Sequence, residues 1–201
     1  KHSIALVVMK HLFTILACLL LSSVMSNAAP KRYLYMSTPD GAQKEGVSGN
    51  GIMVFDIDNG HQFVKRIEIP IFKEGLRGFT GSAATGCVYY STTSQRLGCF
   101  NVETEKVVWE KTYERGCDRT CITMDGKRLY VPTGWWWTGA DSGFLVIDAA
   151  TGEQIDQIAV GKKAHNSIAT LDGKHVFLGT ETKLTMLEAS TGKVLKSYEP
   201  V

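Results

Sequence analysis

The chain has 201 residues, of which 22 are Lys or Arg and 20 are Asp or Glu, and its formal net charge is +2. A nearly neutral chain argues against a nucleic-acid-binding protein, because that function needs a concentrated basic surface. The same balance gives no electrostatic reason for attachment to a membrane surface.

The first 28 residues are predicted to be a secretory signal peptide. A short basic region, Met9-Lys10-His11, precedes an apolar run from Leu12 to Leu21, and Ser26-Asn27-Ala28 satisfies the small-x-small rule for cleavage after Ala28. The apolar run is too short for a helix that spans a membrane.

This interpretation defines the mature protein. Met9 is the first plausible start, so we expect residues 1–8 to lie upstream of the true N-terminus. Removal of Lys1 and Lys10, the basic residues of the segment 1–28, leaves residues 29–201 with no net charge. We expect the mature protein to be periplasmic or extracellular, with no membrane segment after signal removal.

The mature chain begins with three predicted strands, which are Tyr33–Ser37, Gly51–Ile57 and Phe63–Ile69. The residues before Tyr33 are expected to be signal peptide, so they add no further strand to this unit.

Each of the next three segments, 78–113, 119–160 and 165–198, predicts four short strands joined by turns. In the last segment the strands are Ser167–Ala169, Val176–Leu178, Leu184–Leu187 and Val194–Tyr198. The turns contain Asp172-Gly173 and Thr191-Gly192, and glycine adopts the positive φ of such turns without steric cost. Each segment therefore predicts one small antiparallel sheet.

The four segments repeat at a regular interval. The aligned second-strand residues are Tyr35, Tyr89, Tyr130 and Phe177, which are 54, 41 and 47 residues apart. The residues that end the third strands are Asp56, Asn101, Asp148 and Glu188, at intervals of 45, 47 and 40. Four strands per unit with a period of roughly 40–45 residues are typical of β-propeller blades. The sequence thus predicts an all-β protein, a β-propeller of four-stranded antiparallel blades.

The number of strands indicates how much of a ring the chain supplies. Blades over 33–69, 78–113, 119–160 and 165–198 amount to about three and three-quarter blades. The fourth blade uses all of its own strands and leaves none to complete the first. We expect residues 29–201 to be the N-terminal part of a longer, seven-bladed ring, and the protein to be a monomer.

Two of the units contain extended motifs. Those of the fourth unit are His165-Asn-Ser-Ile-Ala, Leu171-Asp-Gly-Lys and Met186-Leu-Glu-Ala-Ser-Thr-Gly-Lys. Those of the third unit are Met124-Asp-Gly-Lys-Arg-Leu-Tyr-Val-Pro and Phe144-Leu-Val-Ile-Asp-Ala-Ala-Thr-Gly. These motifs resemble the YVTN-type propeller repeat. That family includes surface-layer-like, lactonase-like and quinoprotein-dehydrogenase-like proteins, so the resemblance implies the fold and leaves the function open.

One face of the predicted propeller collects loops of unusual composition, which are 37–50, 70–77, 112–118, 133–143 and 161–165. The loop 133–143 contains three consecutive tryptophans, Trp135, Trp136 and Trp137. In a loop flanked by glycines, at least one of them is expected to face solvent and to stack on a sugar, an aromatic group or a partner. The alternative is a loop tucked under its own aromatic side chains or wedged between blades.

Polar residues are predicted at the mouths of the inner strands, beside the central channel. His165 and Asp118 take equivalent positions there, with Arg77, Arg119 and Asn166 next to them. The histidine can act as a base or metal ligand, or it can simply bind the adjacent blade through a hydrogen bond. No metal site is predicted from these residues alone, although a carboxylate-based cation site that uses Asp118 and residues outside this segment stays open.

Four cysteines remain after removal of the signal peptide, and they are Cys87, Cys99, Cys117 and Cys121. An even count in an exported chain permits two disulfides, and the first two cysteines flank one predicted hairpin. Four buried thiols are the alternative. Trp109 resembles the docking tryptophan of quinoprotein blades, but it occurs in one blade of four and does not identify a cofactor.

These observations favour an exported propeller that acts as a binding or interaction scaffold. Its loop face, with Trp135, Trp136 and Trp137, would recognise a small molecule, a glycan or a protein. The alternative is a lactonase-like or quinoprotein-dehydrogenase-like enzyme, with a central metal or cofactor site near His165 and Asp118. The sequence alone identifies neither the ligand nor any catalytic residue.

Overall fold

The computed structural model describes residues 31–38 and 51–199. The predicted signal peptide, 1–28, and most of the predicted loop 37–50 lie outside the described residues. Within the described ranges, no helix has the length and the apolar character needed to cross a bilayer.

The strands form four antiparallel sheets that follow one another along the chain. The first sheet contains β1 (Tyr33–Thr38), β2 (Gly51–Asp56) and β3 (Gln62–Ile67). The second contains β4 (Leu76–Ser82), β5 (Cys87–Thr92), β6 (Arg96–Asn101) and β7 (Lys106–Thr112). The third contains β8 (Cys121–Ile122), β9 (Arg128–Pro132), β10 (Gly143–Asp148) and β11 (Gln154–Ala159). The fourth contains β12 (Asn166–Ala169), β13 (His175–Gly179), β14 (Leu184–Glu188) and β15 (Val194–Tyr198).

In every sheet each strand pairs with the next strand of the sequence, which confirms the predicted propeller blades. Two short 3₁₀ turns, Ile57–Asn59 and Pro70–Glu74, complete the regular structure of the described residues. The main departure from the prediction is β8, which pairs over two residues instead of beginning near Arg119. Just before it, the Asp118 amide donates to the Pro132 carbonyl of β9, and Arg119 forms a parallel bridge with Asn166 of the fourth blade instead of continuing the β8–β9 ladder.

The repeated residue at the end of the third strand has a clear structural role. Side-chain oxygens of Asp56, Asn101 and Asp148 each accept hydrogen bonds from the backbone amides two and three residues later. Such side-chain acceptors stabilise the turn locally. The turn then needs a left-handed residue, which is Gly152 (φ 71°) in the third blade and Glu105 (φ 53°) in the second. The Glu105 carboxylate pairs with Lys65 of the first blade.

Neighbouring blades pack face to face through three buried clusters. Strand β5 shows the alternation: Val88 and Tyr90 pack with the first blade, whereas Tyr89 packs with the third. In β10, Leu145 packs toward the second blade and Val146 toward the fourth. Both faces of a central blade are therefore apolar, as the sequence predicted and as a sheet covered on both sides requires.

Trp109 connects the second blade to the third. The indole Nε1 donates to the carbonyl of Ala149 at 3.0 Å. A Cβ atom built on Gly152 would lie 2.7 Å from Cε3 of Trp109, so the ring packs directly on the glycine backbone. The Tyr113 hydroxyl adds a 2.6 Å hydrogen bond to the Gly152 carbonyl. Trp109 is thus a docking residue between blades.

The four cysteines of the described residues are buried, unpaired thiols. In the hairpin, Cys99 lies opposite Tyr89 and Cys87 opposite Asn101, so the register does not place the two cysteines directly across from each other. Burial raises the pKa of Cys99 and Cys117 to about 12 and that of Cys121 to about 11. Thiols with such pKa values are not nucleophiles at neutral pH.

Candidate functional site

Three of the loops predicted to share one face do meet there. The Gly134 amide, in the loop between β9 and β10, donates to the carbonyl of Ala164, which precedes β12. In the loop between β7 and β8, a Cβ on Gly116 would lie 2.6 Å from the ring of Trp136. The loops 112–118, 133–143 and 161–165 therefore form one continuous surface.

Trp136 is held inside this surface. Its ring lies against Gly116 and Gly134, where added Cβ atoms would approach it to 2.6 and 2.9 Å. Both glycines also have left-handed φ values, +91° and +62°, which other residues rarely adopt. The guanidinium carbon of Arg77 lies 5.5 Å from the ring centroid, within cation–π range. Trp136 therefore anchors the loop and is not available as an open stacking surface.

Trp137 is also engaged. The guanidinium carbon of Arg115 lies 4.3 Å from its ring centroid, and its Nε1 donates to Oδ1 of Asp141 at 2.8 Å. Arg115 and Asp141 form an ion pair at 3.3 Å, and the Gln157 amide donates to the Asp141 carbonyl at 2.6 Å. The hydrogen bond from Trp137 lowers the pKa of Asp141. The far end of the loop is thus tied to the preceding interblade loop and to β11.

Trp135 is the tryptophan that faces solvent, with 57% of its surface exposed. Its ring makes an edge contact with the His165 imidazole, with centroids 4.7 Å apart and planes at 87°. An edge contact uses the face of only one of the two rings, so at least one face of the indole stays open. The prediction that one of the three tryptophans would be accessible is confirmed for Trp135.

His165 and Asp118, predicted at the mouths of adjacent inner strands, are in direct contact. Nδ1 of His165 lies 2.7 Å from Oδ2 of Asp118, whose side chain is 1% exposed. A carboxylate oxygen accepts, so Nδ1 carries the proton and Nε2 of the neutral ring is an acceptor. The guanidinium of Arg119 donates to Nε2. Both ring nitrogens of His165 are therefore occupied by protein groups.

Local backbone contacts fix the position of Asp118. Its carbonyl accepts from the Ser91 hydroxyl at 2.8 Å, and its amide donates to Pro132 at 2.8 Å. A Cβ on Gly78 would lie 2.9 Å from the Cα of Arg119, so glycine permits the close approach of the second and third blades. Oδ1 of Asp118 is buried and has no hydrogen-bond partner among the described residues.

A groove of about 220 Å³ opens beside the exposed indole. Its lining consists of the exposed tryptophan, the imidazole and five further residues, which are Lys163, Asn166, Gly179, Thr180 and Glu181. Lys163 and Glu181 form an ion pair across the groove. We refer to these seven residues as the Trp135 groove.

The structure brings together only some of the predicted site residues. Trp135, His165 and Asn166 line the groove, and Asp118 and Arg119 support His165 from behind. The other three predicted residues are separate from it: Arg77 and Trp136 pack on each other, and Trp137 is tied to Arg115.

Four residues that line the groove were not predicted from the sequence, and they are Lys163, Gly179, Thr180 and Glu181. Lys163 belongs to an interblade loop that was predicted to lie on this face, and its φ of 54° marks an unusual backbone conformation. Glu181 lies between the second and third strands of the fourth blade. In a propeller, the loops between second and third strands open on the same face as the loop 133–143. The position of Glu181 in the repeat was therefore sufficient to predict that it lies on this face.

Within residues 31–38 and 51–199, no group of three or more His, Cys, Asp or Glu side chains is placed to hold a metal ion. The groove instead combines one open aromatic face with an amide and an internal ion pair. That combination can stack on a ligand and form hydrogen bonds with it.

The repeated four-stranded blades and their face-to-face packing define a β-propeller. A family model described as "Outer membrane protein assembly factor BamB" (PQQ_2) matches residues 48–199, and the chain belongs to this propeller repeat family. The match does not single out the YVTN-type repeat. No curated protein matches the sequence.

Solved structures agree on the fold. The β-propeller domain of Myceliophteria thermophila Cps50 (Swd1) matches with a TM-score of 0.55 and 10% identity, over 77% of this chain. The chain spans about half of that solved propeller, 51% of its length. Matches extend to 1101 solved chains, so the fold is too widespread to select a function.

Proposed function

We propose that this chain is part of an exported β-propeller that acts as a binding or interaction scaffold, with the Trp135 groove in its recognition face. One observation supports the proposal above the others: Trp135 is 57% exposed while the two tryptophans that follow it are locked in place. The two anchored residues thus hold the loop directly after a ring that the protein leaves open.

This arrangement is well suited to binding. A tryptophan brings a large contact area with few rotatable bonds, and such residues dominate the energy of many interfaces. Because Trp136 and Trp137 already fix the loop, a ligand would not have to order it on binding. Preorganisation of this kind increases affinity by lowering the entropy cost.

The family relationship is compatible with a scaffold. The matching family model is described as an assembly factor, and assembly factors act through contacts with other proteins. We further propose that the repeats are of the YVTN type and that the complete ring has seven blades. The enzyme alternative gains nothing from this geometry, since both nitrogens of His165 are engaged by Asp118 and Arg119.

An array experiment tests the scaffold function. Labelled full-length protein would be applied to immobilised glycans and to peptides from outer-membrane proteins, in parallel with the variants Trp135→Ala and Ile155→Ala. Ile155 is 51% exposed on β11 and serves as a matched control for the loss of an exposed apolar side chain. We expect a signal that Trp135→Ala removes and Ile155→Ala keeps. Binding that is indifferent to Trp135, or no binding at all, would contradict the proposal.

Export has its own test. The protein would be expressed from Met9 in a Gram-negative host and recovered from the periplasm, and its N-terminus would be sequenced. Cleavage after Ala28 predicts a mature protein that begins at Ala29. An uncleaved protein in the cytoplasm would contradict export without affecting the binding proposal.

A further inference from the structure

We propose that the Trp135 groove binds a neutral carbohydrate, with one sugar ring stacked on the open face of the indole. This inference rests on the scaffold function proposed above and specifies its ligand. It follows from the chemistry of the seven lining residues.

Trp135 supplies an aromatic platform to the groove. The edge contact with His165 leaves at least one face of the Trp135 ring uncovered by the imidazole, and the indole belongs to the lining of the groove. The imidazole cannot turn away freely, because its nitrogens are held by Asp118 and Arg119. The indole is therefore a flat, supported surface with a negative π face, which suits the polarised C–H groups on one side of a pyranose ring.

The polar groups of the groove disfavour an apolar ligand. Apart from Trp135, every lining residue is glycine or carries a polar group on its side chain, and none is Val, Leu, Ile, Met or Phe. An apolar partner would desolvate Asn166, Lys163 and Glu181 without offering them hydrogen bonds, which is unfavourable. A ligand that stacks on the indole must therefore also carry hydrogen-bonding groups around its ring.

The paired charges of the groove disfavour a strongly charged ligand. Lys163 and Glu181 pair with each other, and Arg119 is directed to His165. The groove thus has no uncompensated charge to select an anion or a cation. The Asn166 amide makes no side-chain hydrogen bond to any described residue, and it can both donate and accept. A neutral ring with an apolar face and a rim of hydroxyl groups satisfies all of these groups.

The size of the groove limits what is bound. Its volume of about 220 Å³ lies below the roughly 300–1,000 Å³ of pockets that enclose drug-sized ligands. We therefore expect it to hold one terminal or internal sugar unit of a longer glycan.

The test is a titration of full-length protein with maltotriose, cellotriose and the trimer of N-acetylglucosamine, with trigalacturonic acid as the acidic comparison. Binding would be followed by calorimetry and by tryptophan fluorescence. We expect at least one neutral trisaccharide to bind, with affinity at least tenfold lower in Trp135→Ala and severalfold lower in Asn166→Ala. Trp135→Phe, which keeps an aromatic face, should recover part of the loss, and Ile155→Ala should bind within twofold of the original protein.

Two results would overturn the carbohydrate inference alone. One is preferential binding of the acidic trimer, and the other is a peptide on the array that depends on Trp135 while no neutral sugar binds. In both cases the scaffold function would stand. If no array component and no sugar depends on Trp135, then the inference and the proposed function fail together.

Discussion

Trp109 and Trp135 place the same side chain in two contrasting environments within one repeat protein. Trp109 is 9% exposed, gives its N–H to the Ala149 carbonyl and packs on Gly152 of the next blade. Trp135 is 57% exposed and touches the protein through the imidazole of His165. The first ring is covered by the fold itself, whereas the second is held in position and left open.

The contrast separates stability from recognition. An indole that the neighbouring blade covers contributes to the folding free energy through buried area and one hydrogen bond. An indole that stays in water contributes little to folding and is available to a ligand. We therefore expect the loss in the free energy of unfolding to be largest for substitutions at Trp109 and smallest for substitutions at Trp135.

Trp109→Ala should cause the largest loss. It leaves a cavity between the second and third blades and an unpaired Ala149 carbonyl, and such substitutions cost about 3–5 kcal/mol. Urea unfolding followed by circular dichroism would measure it. Trp109→Phe keeps most of the packing and loses the hydrogen bond to Ala149, so a smaller loss of about 1–2 kcal/mol is expected. A loss below about 1 kcal/mol for the alanine variant would show that this contact does not hold the blades together.

His165→Ala should be next. It leaves the 1%-exposed Asp118 carboxylate without its imidazole partner, and an unsatisfied buried group costs about 1–3 kcal/mol. The double variant Asp118→Ala, His165→Ala removes both partners and should be less destabilised than His165→Ala alone. Urea unfolding of the two single variants and the double variant measures the coupling. If the loss of unfolding free energy in the double variant equalled the sum of the losses in the two single variants, Asp118 and His165 would not interact.

Gly152→Ala compares two equivalent turns. Gly152 and Gly60 have similar left-handed φ values, +71° and +63°, so alanine causes similar backbone strain of about 1 kcal/mol at each. Only at Gly152 would the added Cβ collide with Trp109, at 2.7 Å, whereas nothing lies within 4 Å at Gly60. We expect Gly152→Ala to cost roughly 1 kcal/mol more than Gly60→Ala in chemical denaturation. Equal losses would indicate that Trp109 yields without cost.

Trp135→Ala should have the smallest effect on folding. Surface substitutions of this kind usually change stability by less than about 0.5 kcal/mol. Differential scanning calorimetry would compare it with Ile155→Ala, which is exposed to a similar extent. A loss of more than about 1.5 kcal/mol would assign Trp135 a structural role in the loop.

The sequence predicted the blades well because their signals are local. The acceptor side chains of Asp56, Asn101 and Asp148 fix their own turns within three residues, so a regular spacing is visible along the chain. The length of β8 was predicted less well. Its pairing covers only Cys121 and Ile122, whereas Arg119, just before it, bridges to Asn166 of the next blade, and no local pattern indicates that contact.

The site was predictable in part for the same reason. The equivalence of Asp118 and His165 in the repeat placed them at adjacent strand mouths, and the structure shows them in contact. Which of the three tryptophans would be open depended on Gly116, in a different loop, and on the pair of Arg115 with Asp141. Such contacts between blades have no signature within the loop itself.

The measurement that tests the central contrast most directly is a crossed comparison of Trp109→Phe and Trp135→Ala, each assayed for urea stability and for binding on the same ligand array. Trp109→Phe is used because it should remain folded. The account predicts that Trp109→Phe loses stability and keeps binding in native buffer, whereas Trp135→Ala keeps stability and loses binding. If both variants change both properties together, or if Trp135→Ala binds like the original protein, the assignment of recognition to the open indole is wrong.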